Sequence, residues 1–233
     1  MRLLVSPINI EEAKAAMAGG ADILDVKNPK EGSLGANFPW VIRSVAEVSG
    51  RRLPVSATIG DFDYKPGTAS LAALGAAFSG ADYIKVGLLK IENQDQAGDM
   101  LSHIVRSVKE FNAEKKLVAA AYSDYARVGS IAPMDLPEVA AECGADVVMV
   151  DTAVKDGKST FEFMTESEIG EFISTGHDLG LEVAIAGTIK FGDLELLRRV
   201  APDIIGVRGA VCGGDRSGTI KEELVRRMKA DLS

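Results

Sequence analysis

Short apolar runs alternate along this chain with longer segments of helical periodicity. Runs rich in β-branched and apolar residues, each ending in Gly, Ser, Thr or a charge, cover roughly 2–6, 22–27, 54–59, 82–87, 117–122, 146–151, 182–187 and 203–208. Continuous apolar runs of this length predict strands covered on both faces. Between them, apolar positions recur at helical spacing near 10–19, 38–49, 67–79, 95–112, 134–143, 166–179, 191–199 and 219–230. Capping-box spacing marks three helix starts, at Asn9 with Glu12, Thr165 with Glu168 and Thr219 with Glu222. Eight uninterrupted alternations predict an α/β fold, a single-domain TIM (β/α)8 barrel over 1–233. A doubly wound sheet also alternates strand and helix, but it commonly uses five or six strands and has less apolar edges.

A repeat is superimposed on the alternation. Gly-Ala-Asp22-Ile-Leu-Asp-Val-Lys, Gly-Ala-Asp82-Tyr-Ile-Lys-Val-Gly, Gly-Ala-Asp146-Val-Val-Met-Val-Asp and Ala-Pro-Asp203-Ile-Ile-Gly-Val-Arg recur at a step of about sixty residues, so they mark every second strand. Three and five residues beyond the Asp stand Asp25 and Lys27, Lys85 and Gly87, Met149 and Asp151, Gly206 and Arg208. Side chains alternate along a strand, so both offsets share one face. Asp25, Lys27, Lys85, Asp151 and Arg208 therefore sit in one phase, near the strand ends, in runs that packing alone would leave apolar. The longest loops, 28–37, 60–66, 152–164 and 209–218, all follow strands on the carboxyl-terminal side, the catalytic face of this architecture.

A formal net charge of −8 and an isoelectric point near 4.9 argue against non-specific nucleic-acid binding, so an anionic ligand must be met by a local basic pocket. No apolar stretch approaches the length of a membrane span, and the amino terminus lacks a signal-like apolar region. The expectation is a cytoplasmic protein without membrane partners; a homo-oligomer is compatible with the chain. Cys143 and Cys212 form no Cys-x-x-Cys pair. Cys143 reads as a small buried residue ending a helix, and Cys212 lies in a Gly-rich loop where a reactive thiol is the minority reading. His103 and His177 fall within predicted helices, away from the strand ends. Neither zinc-ligand spacing nor a His-based triad is present, and no metal or organic cofactor is expected.

Lys27 and Lys85 are the most informative side chains. Desolvation in an apolar strand disfavours the ammonium, and a second nearby cation depresses the pKa further, which is how an amine becomes able to add to a carbonyl. The competing reading is two strand-end lysines paired with Asp25 and Asp151 or reaching to water. Asp25 and Asp151 can hold the lysines, orient a hydroxyl or carry protons, with metal binding as the rival role. Asp61 and Asp63 read as a solvated loop with a helix-start role, since the segment lacks the ligand density of a calcium loop. Lys155, four residues past Asp151, is a candidate anion ligand. Gly187-Thr188 after the seventh strand, and Arg208-Gly209 with Gly213-Gly214 after the eighth, offer backbone amides beside a guanidinium where such barrels bind phosphate.

With Asp25-Val-Lys27-Asn28-Pro29, Gly60-Asp61-Phe-Asp-Tyr64-Lys65-Pro66-Gly67-Thr68, Ile84-Lys85-Val-Gly87 and Asp151-Thr152-Ala153-Val-Lys155-Asp156-Gly157 in order, the chain resembles the (5-formylfuran-3-yl)methyl phosphate synthase family from end to end. The resemblance implies a TIM barrel that condenses two molecules of glyceraldehyde 3-phosphate into a furan aldehyde phosphate, releasing phosphate and water, in the biosynthesis of methanofuran-type coenzymes. It implies a Schiff base on Lys27 and proton transfer by Lys85, with a small phosphorylated triose as substrate. From the residues alone, two other readings stay open: a class I aldolase or transaldolase-like barrel using the same imine, and a phosphate-binding barrel without catalysis.

Overall fold

The computed structural model describes residues 1–232. Eight parallel strands follow one another in chain order: β1 (Arg2–Val5), β2 (Ile23–Val26), β3 (Val55–Phe62), β4 (Tyr83–Leu88), β5 (Lys116–Tyr122), β6 (Val147–Asp151), β7 (Glu182–Ile185) and β8 (Ile204–Val207). β1 pairs with β8 through Arg2 to Ile204 and Val5 to Val207, which closes the barrel. No sheet edge is left, so the doubly wound alternative is excluded. The outer ring is α1 (Ile10–Ala18), α2 (Pro39–Ser49), α3 (Pro66–Phe78), α4 (Gln94–Phe111), α5 (Leu136–Glu142), α6 (Glu166–Asp178), α7 (Leu194–Val200) and α8 (Glu222–Leu232). None of these helices is long and apolar enough to cross a membrane.

The expected capping box at Thr165 and Glu168 forms in full, each capping the other; at α1 only half of one forms, since Asn9 accepts the Glu12 N–H at 2.9 Å but the Glu12 side chain accepts the Ile8 N–H rather than that of Asn9. The third does not form. α8 begins at Glu222, so Thr219 lies too far upstream to cap it.

The repeated aspartates act at the amino-terminal end of the barrel. Asp22, Asp82, Asp146 and Asp203 each donate their own N–H to the preceding strand, at Leu3, Val55, Leu117 and Val183, and each carboxylate accepts the N–H of that same residue. Each carboxylate also meets a basic side chain: Lys229 at 2.6 Å, Lys115 at 3.1 Å, Lys109 at 3.0 Å and the His177 ring at 2.8 Å, respectively. A short acceptor of fixed geometry thus pins every even strand to its odd predecessor and satisfies a strand-start amide that would otherwise be orphaned.

The alternation of each strand sorts its residues into two cores. Leu3, Val5, Leu24, Val26, Ile84 and Val86 face outward into the helix layer, while Leu4, Ile23, Val118, Met149, Ala184 and Ile204 face the barrel axis. Burying one such aliphatic side chain stabilises by about 1.5–3 kcal/mol. The interior is closed from above on one side by the 28–37 loop. Its Leu34 is fully buried in the axial cluster. β3 extends past its expected end to Phe62, with a register shift between Thr58 and Asp61, and this turns Asp61 inward. The expectation of Asp61 as a solvated loop residue is therefore corrected: its carboxylate accepts the Leu34 N–H at 3.0 Å and the Tyr122 hydroxyl. Asp63 does lie in the open, paired with Lys65 at 2.9 Å.

Candidate active site

A cavity of about 380 Å³ opens at the carboxyl-terminal mouth, over the β6 to β2 side that the loop leaves free. That is the size of a small-molecule pocket. Asp25, Lys27, Lys85, Asp151, Lys155, Gly187, Thr188, Arg208, Gly209 and Gly214 line it; Gly213 does not.

The charges at the mouth do not cancel. Asp25 is fully buried and accepts from Lys85 Nζ at 2.7 Å, Ser56 Oγ at 2.7 Å and Ser6 Oγ at 3.0 Å. Asp151 accepts from Lys155 Nζ at 2.5 Å and from the Thr152 N–H at 2.7 Å, and Lys155 also donates to Thr152 Oγ1 at 2.8 Å. Two carboxylates are thus claimed by two lysines, and a third lysine, Lys27, is left over. Among the described residues none pairs with its Nζ, although Lys27 is only 7% exposed. Burial is the main force on it and drives its pKa down, with Lys85 and Lys155 adding like-charge repulsion; Asp151 and Asp25 oppose, and the balance falls at about 7. Burial alone would raise the Asp25 and Asp151 carboxyls, but Lys85 and Lys27 around the first, and Lys155 and Lys27 around the second, hold both below the ordinary range. The site therefore presents ionised carboxylates beside an amine whose pKa is lowered far enough for a sizeable neutral fraction near pH 7. Such an amine can add to an aldehyde.

Arg208 is placed in the cavity wall, but the structure withdraws its side chain from the phosphate role expected of it. Its Nε donates to the Arg216 carbonyl, Nη1 to Glu12 and the Ser6 carbonyl, both at 2.7 Å, and Nη2 to Glu12 and the Gly218 carbonyl. A guanidinium has five N–H donors, and all are occupied in a pair only 2–3% exposed. Arg208 closes the barrel against α1. The guanidinium that remains available is that of Arg216, which lines the cavity and makes one contact through Nη2, to the Gly32 carbonyl at 3.1 Å.

Backbone geometry supports an anion site at the same place. Gly187 and Thr188 have successive positive φ values of 94° and 54°. Any Cβ at Gly187 would fall 2.2 Å from Thr160 Oγ1, and a β-branched residue such as Thr188 rarely adopts this region. The chain turns sharply there, at the cavity wall. The N–H groups of Gly209 and Ala210 open a 3₁₀ turn, Gly209–Cys212, and have no acceptor among the described residues. Cys212 is buried, which pushes its thiol up to about 11 despite the pull of Arg208; the reactive-thiol reading fails. No group of three or more His, Cys, Asp or Glu residues able to hold a metal ion occurs among the described residues.

The repeat alignment followed only the even strands, and what it missed lies on the odd ones. Ser6, Ser56, Tyr122 and the loop-capping Asp61 carry no Gly-Ala-Asp mark, yet Ser56 and Tyr122 stand in the inward phase beside Asp25 and Asp151 in register. That phase was the available signal.

The 4-HFC-P synthase family model matches residues 3–229. The chain is 66% identical over 231 residues to (5-formylfuran-3-yl)methyl phosphate synthase of Methanosarcina mazei, with 99% of each chain covered, and 56% identical to that of Archaeoglobus fulgidus, with 98% and 97% covered. Among solved structures, KGPDC from Streptococcus mutans superimposes with a TM-score of 0.66 at 12% identity, covering 99% of this chain and 96% of that one. 3-Hexulose-6-phosphate synthase from Salmonella typhimurium gives 0.63 at 17%, covering all of both chains. The latter two share the barrel. The sequence matches add high identity over nearly the whole length, and this chain belongs to the 4-HFC-P synthase family, the (5-formylfuran-3-yl)methyl phosphate synthases.

Proposed function

We propose that the protein condenses two molecules of glyceraldehyde 3-phosphate into (5-formylfuran-3-yl)methyl phosphate, one phosphate and two molecules of water, through a Schiff base on Lys27, and that it supplies a methanofuran-type coenzyme pathway. The observation that carries the mechanism is the lysine excess: three lysines against two carboxylates in a buried site, with Lys27 the one left unpaired.

Neutral Lys27 adds to the aldehyde of the first triose. Lys85, an ammonium in its pair with Asp25, protonates the carbinolamine oxygen, water leaves, and Lys85 is now a base. The imine acidifies the adjacent carbon, C2, and Lys85 takes its proton. Phosphate then leaves from C3, one carbon further on, and this step is helped by Arg216, the Gly209 and Ala210 amides and Lys155 as anion ligands. The product skeleton requires a new bond from that C3 to the central carbon of the second triose. The second molecule must therefore enolise first to bring its carbonyl to that carbon, again by proton transfer at Lys85. Ring closure through oxygen and loss of two molecules of water complete the furan, and hydrolysis of the imine, which consumes the water released on forming it, frees the aldehyde and returns Lys27 to its amine.

The test is incubation with glyceraldehyde 3-phosphate alone, with the product followed by ultraviolet absorption and mass, and a parallel sample reduced with borohydride and peptide-mapped. The reading requires a furan product and a reduced triose adduct on Lys27. Furan without any adduct would remove the imine; an aldol product without a furan would favour an aldolase.

A further inference from the structure

The Gly60-to-Thr68 motif contributes nothing to the chemistry above, yet it holds the most elaborate contact at the mouth. Asp61 accepts the Leu34 N–H with both carboxylate oxygens, at 3.0 and 3.2 Å, and the hydroxyl of Tyr122. Thr58 Oγ1 donates to the Gly35 carbonyl at 2.7 Å, and Ser33 Oγ to the Thr152 carbonyl at 2.7 Å. β3, backed by Tyr122 of β5, and the residue just past β6 thus hold one loop tip. The fit is tight enough to dictate glycines: a Cβ on Gly87, two residues past Lys85, would meet Tyr122 Oη at 2.1 Å, Asp61 Oδ1 at 2.9 Å and Leu34 Cδ1 at 3.0 Å, and one on Gly32 would meet Asp61 Oδ2 at 2.1 Å. Leu34 itself is fully buried on the barrel axis. Loops ordinarily run over the surface, because buried backbone needs partners. Here the partners are supplied, and an apolar side chain is driven down into the part of the mouth that lies outside the cavity, on the far side of Lys85's strand from β6 to β8.

A polar mouth over β3, β4 and β5 would admit water beside Lys85. In the proposed reaction, water at the wrong moment has a definite consequence. Once phosphate has left the first triose, Lys27 carries a three-carbon imine whose C3 must bond to the second triose. If water adds to C1 instead, the C1–N bond breaks, Lys27 regains its amine, and 2-oxopropanal departs. The balance is one triose phosphate to one 2-oxopropanal and one phosphate, with the water consumed equal to that released on forming the imine. Excluding water from reactive intermediates is an established use of a closed site.

We propose that Leu34, held by the positioning residues Asp61 and Tyr122, is a water-excluding plug that commits the phosphate-free intermediate on Lys27 to condensation rather than hydrolysis. The inference rests on the Schiff-base reading above.

The test uses the full-length protein with glyceraldehyde 3-phosphate, measuring phosphate, furan product and 2-oxopropanal (as its quinoxaline with a 1,2-diamine) in one reaction, with the non-enzymatic rate subtracted. The wild type should release one phosphate per furan. Leu34→Ala should raise that ratio severalfold, with 2-oxopropanal accounting for the excess, and Leu34→Met, which conserves volume, should bring it back near one. Thr58→Val loosens the loop without a core cavity and should raise the ratio in the same direction, which keeps the test alive if Leu34→Ala does not fold. A lower furan rate at an unchanged ratio in both Leu34→Ala and Thr58→Val would overturn the plug while leaving the Schiff-base reading intact. No furan from the wild type would overturn both.

Discussion

Two interior lysines, one at each end of the same barrel, end in opposite states. At the amino-terminal end Lys116 and Arg2 share Glu182, at 2.7 Å and in closer contact respectively, with Tyr83 beneath them. This cluster also has one cation too many. Yet the hydrogen bond to Glu182 outweighs burial and raises the Lys116 pKa, and Arg2 rises too, against the burial that is the largest influence on it. At the mouth, Lys27 falls to about 7. The sign of the charge excess is the same; the water is not. Lys116 and Arg2 are each 38% exposed and Glu182 30%, against 2% or less for Lys85 and Asp25 and 7% for Lys27. Where solvent screens it, an extra cation is tolerated as an ordinary charge; where it is desolvated, the extra cation gives up its proton. Stability is built at one end and reactivity at the other, from the same residue types on alternate strands: Arg2, Lys116 and Glu182 on β1, β5 and β7, the mouth groups on or just past β2, β4 and β6.

The largest test of this contrast is Lys27→Arg. A guanidinium stays protonated and cannot add to a carbonyl, so furan formation should fall to background and the borohydride adduct should vanish from the peptide map. Lys116→Arg at the other end, where the charge only has to persist, should leave turnover close to wild type. An adduct that survives Lys27→Arg and maps to Lys85 would transfer the nucleophile's role to Lys85.

Arginine divides the same way. Arg208→Ala would strand the Glu12 carboxylate in a site where both partners are nearly inaccessible, and breaking one side of a buried pair costs about 3–5 kcal/mol. Denaturant unfolding should show that loss. Arg216→Ala removes a partly buried guanidinium with one backbone contact, so it should leave stability nearly unchanged and raise KM by the value of a charge-assisted contact, about 1.5–3 kcal/mol or roughly ten- to a hundredfold. If Arg208→Ala folds normally and loses affinity instead, the Arg208 guanidinium rather than that of Arg216 carries the phosphate.

What could be read before the structure follows from what each signal encodes. Strand phase is a local property, so the convergence of Asp25, Lys27, Lys85 and Asp151 was legible from alternation alone, as was the closed eightfold order. The role of Arg208 was not, because its partner Glu12 lies 196 residues away and had a sufficient local explanation as a helix cap. Leu34 was hidden for a similar reason: an isolated Leu in a polar loop is ordinary in sequence, and only the register shift that turns Asp61 inward draws it into the barrel. The repeated aspartates were visible as a landmark, but their work lies at the end opposite the site.

The Lys27 pKa has its own consequence for stability. In the unfolded chain the amine should titrate near 10.5, and in the folded protein at about 7. Between those values the unfolded state holds a proton that the folded state lacks, so stability from this residue rises with pH; below about 7 both states are protonated and the burial penalty is complete. The greatest slope from one proton is about 1.4 kcal/mol per pH unit. The difference in unfolding free energy between the wild type and Lys27→Met should rise at about half that slope at pH 7 and approach the full slope between pH 8 and 9, while adduct formation at Lys27 rises through pH 7 and then levels off. A flat difference would mean that Lys27 stays protonated in the fold.

The smallest effect is expected at the amino-terminal end, from Glu182→Gln. If exposure is what separates the two lysines, removing the Glu182 charge should alter stability by no more than about 1 kcal/mol, since solvent reaches both cations and the amide oxygen can keep one hydrogen bond. Turnover should not move, because the mouth cavity does not include this residue. A loss of about 3–5 kcal/mol, the size seen when a buried pair is broken, would show that water does not screen this cluster. Lys116 would then have to owe its raised pKa to Glu182 in a dry site, and the different fates of the two lysines would rest on the placement of their carboxylates rather than on solvent.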